Sequence, residues 1–298
     1  MNEFPSVSII TINYNSFNDT LEFLESVYNI TYPNFEVILV DNNSEKFEGD
    51  LIREKHPTII IIESSRNLGF AGANNLAIKK SLSEYLVFLN NDTIVEKDFL
   101  EPLIQQLMID PTIGMISPKV KYYGTNTIQF AGTTKLDKFT GRAHRIGDFE
   151  EDVGQFDALY ETGVIHGSAM VIPKRIIDEI GLMPEVYFLY YEELEWCHRA
   201  VMKGYKLNYL GTSVVYDKVS GSIGKNNPLK TYYLTRNRIL YTRRNTSSLT
   251  KFMWLMYFTI ISIPKKSFFF VLKGEIDHLK AFVSGILWNI KHFKLPME

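Results

Sequence analysis

Acidic side chains stand where this chain has just finished building apolar segments. FEVILVD (35–41) ends in Asp41, YLVFLNND (85–92) ends in Asp92, and YYEELEW (190–196) carries Glu192, Glu193 and Glu195 among aromatic residues. Asp and Asn end strands in turns by bonding their own backbone. A carboxylate at a strand end can also accept hydrogen bonds from a base or ribose, which suits Asp41. Asp92 can hold a divalent cation that bridges a diphosphate, since Mg²⁺ in such sites takes one or two carboxylates plus phosphate oxygens. Aromatic walls desolvate a carboxylate and raise its pKa, as a general base requires. An acidic first helical turn favoured by the helix dipole is the plainer reading of the three glutamates.

These residues need elements to position them. SVSIITIN (6–13) reads as a strand buried on both faces, and FEVILVD, TIIIIES (58–64), YLVFLN and IGMISP read as further strands. Helices are expected over about 16–29, 45–55, 71–82 and 97–109. Strands alternating with helices imply crossover units and a mostly parallel sheet, whose strand carboxyl ends form the ligand edge. SRNLGFAGANN (65–75) places Gly69 and Gly72 between a strand and a helix, where backbone can approach a ligand. Arg66 in that stretch is a candidate phosphate contact. After Pro118 the rhythm changes to loops and short antiparallel strands. GSAMVIP (167–173) is a strand, Pro173 and Gly181 bracket a short helix, 190–204 is an amphipathic helix, and 207–217 is a strand. The expected organisation is an α/β half over 1–118, a second half of the same domain over 119–245, and a basic aromatic tail over 246–298.

The 298 residues are 45% hydrophobic and 22% charged, which is globular composition. A net charge of −2 conceals a division: Lys218–Glu298 holds fourteen Lys and Arg against three acids, +11, and the first 217 residues carry −13. The tail therefore faces a different partner from the body, such as an anionic membrane surface or ligand. No nucleic-acid partner is expected. The single cysteine, Cys197, allows no intrachain disulfide and suits a reducing compartment. MNEFPSVSIITIN does not read as a signal peptide, because an acid precedes a short apolar run.

The segments NYN, VDNNS, RNLGFAGANN, LNNDT, GSAMVIP, IGLMPEVYFLYYEELEWCHR, GYKLNYL, VVYDKVSGS and RNRILY follow one another in that order over residues 5–245. The series resembles family 2 glycosyltransferases, in particular their bacterial rhamnosyltransferase-like branch. The resemblance implies a GT-A fold, a Rossmann-like sheet with helices on both faces. It implies that Tyr14, Asp41, Arg66, Asn67 and Asn91 contact the nucleotide. Asp92 matches the metal-binding acid of the DxD motif, with Asn90 in place of the first Asp. Glu193 matches the catalytic base, usually an Asp, and Asp217 matches a second metal ligand, usually a His. An all-oxygen pair favours Mg²⁺ or Mn²⁺. His166, Glu192, Trp196 and Arg236 are the candidate acceptor or diphosphate contacts. The implied reaction is inverting transfer from a nucleotide-diphosphate sugar, dTDP-rhamnose first and a UDP-sugar second. The implied acceptor is a glycan or lipid-linked molecule of cell-surface polysaccharide synthesis. The departures at Glu193 and Asp217 suit an alternative, a catalytically degenerate relative that binds nucleotide or glycan in an assembly.

In the tail, FMWLMYFTIISI (252–263) supplies only twelve apolar residues before Pro264-Lys265-Lys266. That is short of the roughly twenty a spanning helix needs. Basic residues with Trp254, Trp288 and many Phe suit an interfacial anchor at the cytoplasmic face of a membrane. Helices packing on the body or on a second copy of the chain are the competing reading.

Overall fold

The computed structural model describes residues 4–137, 142–219 and 227–293. These fall into two units, one holding 4–135, 143–188 and 192–219, the other 136–137, 142, 189–191 and 227–293.

The first unit begins as the apolar pattern predicts: β1 (Val7–Asn13), α1 (Phe17–Val27), β2 (Phe35–Asp41), α2 (Gly49–Lys55), β3 (Ile60–Glu63), α3 (Gly69–Lys80) and β4 (Tyr85–Leu89). It continues with β5 (Thr93–Val95), α4 (Leu100–Ile109), β6 (Ile113–Tyr122), β7 (Ile128–Phe130), β8 (Leu159–Glu161), β9 (Ala169–Pro173), α5 (Lys174–Ile180), α6 (Glu192–Met202) and β10 (Lys206–Asp217). One sheet has the order β3-β2-β1-β4-β9-β6-β10-β5, with β7 beside β6 and β8 beside β10. The first four strands are mutually parallel, as are β6 and β10. β9 enters antiparallel between β4 and β6, so the sheet is mixed.

Side-chain alternation sends each strand into two cores. Val7, Ile9, Val37, Leu39 and Val87 pack with α1 and α4 on one face. Ile10, Ile38, Val40, Leu86 and Phe88 pack with α3, α5 and α6 on the other. Burial on both faces is what the uninterrupted apolar runs required. From β1 the chain winds outward to β3, then returns to place β4 on the other side of β1. The carboxyl ends of β1 and β4 therefore flank the topological switch point, where open α/β sheets bind ligands.

The second unit holds α7 (Pro228–Asn245), α8 (Ser248–Tyr257), α9 (Ile263–Leu272) and α10 (Ile276–Lys291). Asn227 caps α7 by accepting from Leu229 N at 2.9 Å, with Pro228 in the first turn. The boundary expected near residue 245 is displaced, because α7 joins the C-terminal helices. α10 lies so close to α7 that a Cβ on Gly285 would sit 2.9 Å from Tyr232 O. Trp254, Phe258, Phe282 and Ile239 form a small separate core. Pro264 does not interrupt the tail helix, contrary to the sequence expectation. Residues Ser248–Leu272 run as one 25-residue helix, with a π-helical turn at Phe258–Ser262. Proline lacks an N–H and its ring crowds the carbonyl four residues back. The wider turn just before it accommodates that conflict.

Candidate active site

The polar rim at the switch point is a hydrogen-bonded chain across three strand ends. Asp41 Oδ1 accepts from Asn13 Nδ2 at 2.8 Å and Ser44 Oγ at 2.6 Å, and Oδ2 accepts from Ser44 N at 3.0 Å. Asn13 Oδ1 accepts from Thr20 Oγ1 at 2.9 Å, and Asn91 Nδ2 donates to Thr20 Oγ1 at 2.8 Å and Ser16 Oγ at 2.7 Å. Asp41 thus closes the turn after β2 with both oxygens, and the Asn91 amide ties β4 to α1. Tyr14 follows Asn13 at this rim, partly exposed. The neighbouring loop is fixed by Asn42, which donates to Asn67 Oδ1 and accepts from Leu68 N. Asn67 in turn accepts from Gly69 N at 2.9 Å, while Arg66 is exposed.

The Gly-rich stretch has a different purpose from the one its sequence suggested. Gly69 has φ +71, and a Cβ there would lie 2.1 Å from Phe188 O. Phe70 N donates to that same carbonyl at 2.7 Å. A Cβ on Gly72 would meet Leu68 and approach Glu185. Asn75 exchanges hydrogen bonds with both backbone groups of Met183, at 2.9 and 3.0 Å, and donates to Glu185. The close approach is to the chain's own 183–188 segment, which leads into α6. Positive φ at Phe188, Tyr190 and Tyr191 shows how sharply the backbone turns before the glutamates.

Among the three glutamates, Glu195 is committed to structure. It is buried, accepts from Tyr187 OH at 2.5 Å and pairs with Arg199 Nη2 at 2.7 Å. Glu192 is also buried. Glu193 is partly exposed, and its Cγ and Cδ lie 3.7 and 3.8 Å from where a Gly167 Cβ would stand. Glu193 therefore lies against the His166–Ser168 turn that opens β9. Because β9 is antiparallel to β4, with Leu89 opposite Ala169, this turn is at the same rim as Asn90, whose N–H donates to Ser168 O at 3.0 Å.

Strand register brings the backbones of the two expected metal ligands next to each other. Asp217 pairs with Thr93 across β10 and β5, and Lys218 N donates to Asp92 O at 3.0 Å. Both acids are less than a tenth exposed. Burial pushes the Asp217 carboxyl above its ordinary range, against hydrogen bonds from Val219 N–H, Gln129 and Ser168 and the charge of Arg145. Gln129 Oε1 is buried with no partner among the described residues. Two buried acids on neighbouring backbone and a buried amide oxygen are hard oxygen donors, the ligand chemistry that a divalent cation such as Mg²⁺ takes. No group of three or more His, Cys, Asp or Glu placed to hold a metal ion occurs among the described residues, so a cation here would need solvent or ligand oxygens as well. Ser168 and Gln129 escaped sequence reasoning. Ser168 was visible only as part of GSAMVIP, and Gln129 had no signal.

Other expected contacts are reassigned. Trp196 has no exposed surface, donates Nε1 to Gly181 O at 2.9 Å and packs edge-on to Phe88, so it is core and does not meet an acceptor. Arg236 belongs to the second unit, where its guanidinium lies 4.5 Å from the Trp288 ring and 5.0 Å from Tyr233. It is 7% exposed and is built into the packing of that unit. His166 Nδ1 is 2.5 Å from Ser168 Oγ and also accepts from Ser168 N. Burial drives its imidazole pKa down to about 3, so it is neutral with its proton on Nε2. Within VVYDKVSGS, Ser220–Ser222 lie outside the described residues.

A parallel βαβ half with its switch point at β1/β4, followed by an antiparallel strand that brings a second half to the same rim, is the GT-A architecture. A mannosyltransferase from Pyrobaculum calidifontis, solved in complex with GDP-Man and Mn²⁺, shares this fold with a TM-score of 0.61. The likeness covers 98% of this chain and 77% of that one at 16% identity. Residues 8–181 match Glycosyl transferase family 2, and the chain belongs to that family. It is 25% identical over 296 residues to the low-salt glycan biosynthesis hexosyltransferase Agl10 of Haloferax volcanii, spanning 96% of this chain and 91% of the relative. It is 21% identical over 280 residues to the dTDP-rhamnosyl transferase RfbF of Shigella flexneri, spanning 87% of each.

Proposed function

We propose that this family 2 glycosyltransferase moves a hexose, with inversion, from a nucleotide-diphosphate sugar to a hydroxyl of a glycan or lipid-linked acceptor in cell-surface polysaccharide synthesis. A dTDP-rhamnose donor is favoured over a UDP-sugar. The observation that carries the reading is the convergence of Glu193, the His166–Ser168 turn, Asp217 and Asp92 at one rim, from four separate segments.

Tyr14, Asp41 and the 66–67 loop line the nucleotide side. Asp92 and Asp217 would hold a divalent cation, which when bound supplies Lewis-acid stabilisation of a diphosphate leaving group. Glu193 takes the proton of the acceptor hydroxyl as its oxygen attacks the anomeric carbon from the face opposite the diphosphate. The C–O bond to the acceptor forms as the C–O bond to the diphosphate breaks. The longer Glu side chain is not crowded against Gly167, where even an added Cβ would stand at an ordinary contact distance of 3.7 Å from Glu193 Cγ. Neutral His166 fixes Ser168 next to Asp217 without adding charge.

Calorimetric titration of dTDP, UDP and GDP, with and without Mn²⁺, tests the donor site. One nucleotide is expected to bind in a metal-dependent way, and Asp92→Ala to abolish that binding. Glu193→Gln is expected to keep binding and lose donor turnover by at least about a hundredfold. Absence of binding for all three nucleotides overturns the donor-site reading. Binding without turnover by the unaltered chain on every acceptor supports the non-catalytic alternative.

A further inference from the structure

The helical unit 227–293 exposes more large apolar side chains than its small core of Ile239, Trp254, Phe258 and Phe282 buries. Its interior holds Arg236, Asn237, Arg238, Ser262 and Asn289, each under a tenth exposed. Its surface shows Phe252 at 61%, Ile260 at 62%, Phe268 at 67%, Leu272 at 71% and Ile290 at 67%. Single exposed apolar residues are ordinary, whereas a contiguous set marks an interaction surface.

Spacing shows that this is built into the helices. On α10, Ile276, Val283, Leu287 and Ile290 recur at seven, four and three residues and form one exposed stripe. Phe282, Gly285 and Asn289 are buried on the opposite side. The Ser248–Leu272 helix buries Trp254, Phe258 and Ser262 along one row and leaves most of its remaining circumference apolar and exposed. Only 11% of its most apolar window is buried, so it is no core helix.

We infer that the apolar faces of Ser248–Leu272 and α10 enter the headgroup–acyl boundary of an anionic lipid bilayer, with the helices lying in its plane. Charge selects this occupant over a second copy of the chain. Residues 227–293 carry eleven Lys and Arg against two acids. Pairing two such units sets like charge against like, whereas anionic headgroups complement it. Lys265, Lys273, Lys280 and Lys291 are exposed around the apolar faces, where their stems can run along acyl chains while the ammonium groups reach phosphates. Depth follows from the lysines. The longest uncharged stretch of the helix, 252–264, is thirteen residues. At 1.5 Å per residue this is about 20 Å, short of the roughly 30 Å hydrocarbon core. Such a surface suits an enzyme that meets lipid-linked acceptors, but it stands independently of the transfer reaction.

Flotation of the purified full-length chain with vesicles tests the inference without any activity assay. The chain is expected to float with phosphatidylcholine vesicles containing phosphatidylglycerol, and far less with phosphatidylcholine alone. The triple variant Phe252→Ser, Phe268→Ser, Ile290→Ser should stay in the bottom fraction. Its circular dichroism melt should be unchanged, because all three side chains are largely exposed. Lys265→Gln with Lys273→Gln should lower partition into anionic vesicles roughly thirtyfold, from about 1 kcal/mol per basic residue. The inference is overturned if the chain floats with neither vesicle, or floats equally well with both and with the triple variant. A dimer in light scattering that fails to float, and that the serine substitutions dissociate, would assign the surface to a second copy.

Discussion

Replacing Gly69 by alanine separates two roles for the Gly-rich stretch. A phosphate-cradling glycine would, when substituted, weaken nucleotide binding. The structure instead predicts damage to the segment that delivers Glu193. At φ +71 an L-residue costs about 1–2 kcal/mol. The new Cβ would stand 2.1 Å from Phe188 O, a backbone atom already held by Phe70 N, so backbone must move by about an ångström. Overpacking of that kind adds about 1–3 kcal/mol. The total expected loss is about 2–5 kcal/mol, read from urea unfolding. Asn75→Ala, which strands both backbone groups of Met183, should cost about 2–4 kcal/mol through the same segment. If the variant folds, a displacement of Glu193 near 1 Å lowers turnover about a hundredfold. The nucleotide dissociation constant, measured by calorimetry, should change far less than turnover, the residual effect coming through the Gly69 N to Asn67 hydrogen bond. A stability loss under about 0.5 kcal/mol, or a selective loss of nucleotide affinity with turnover per bound donor intact, would refute the reasoning.

Two further outcomes follow from the same packing. Trp196→Phe removes the hydrogen bond to Gly181 O and some core volume, so it should cost about 1–3 kcal/mol in urea unfolding while leaving the acceptor KM unchanged. Lys119 is buried and paired with Asp152 and Asp157. Burial pushes Asp152 up, but hydrogen bonds from Lys119 and Gly154 and the lysine charge outweigh it and leave the carboxyl below its ordinary value. Its stabilising contribution is therefore present above the unfolded pKa, near 4, and disappears as pH falls through the lower folded value. Asp152→Asn should cost about 2 kcal/mol at neutral pH, and thermal melts of variant and parent should converge in acid.

Much of the first unit was legible because its central strands are buried on both faces and its helices are punctuated by turn residues. FEVILVD, YLVFLN and the Pro173–Gly181 helix fall where their apolar runs and breakers put them. The spacing of Trp196, Cys197 and Ala200 marks an inward helical face, and weighing that period against the aromatic setting would have placed Trp196 in the core. Long-range facts were not available in this way. Asp92 and Asp217 are joined by the register of β5, a strand of three residues with no periodicity of its own. GxxG spacing says that something approaches the backbone, but not that the visitor is residue 188 of the same chain. Ser168 and Gln129 join the rim only because β9 runs against β4 and β7 folds onto β6. The continuity of the tail helix through Pro264 depends on a π turn, for which sequence carries no local signature.

That π turn also sets the phase of everything after it. Trp254, Phe258, Ser262, Lys266 and Phe270 stand four residues apart, and each is buried or partly buried. In a regular helix four such steps drift by about 160°, which would carry Phe270 to the side opposite Trp254. One surplus residue held in a widened turn takes back about 100° of that drift. The turn thus acts as a phase corrector, keeping one row of side chains turned inward, against α7 at Trp254 and against α10 at Lys266 and Phe270. Its deletion would preserve helix content while rotating the distal half about its axis. Lys266 would then lose its place over the Phe282 ring. Helices of this chain's relatives that differ in length here should differ by whole turns, or else by compensating changes in which residues face inward.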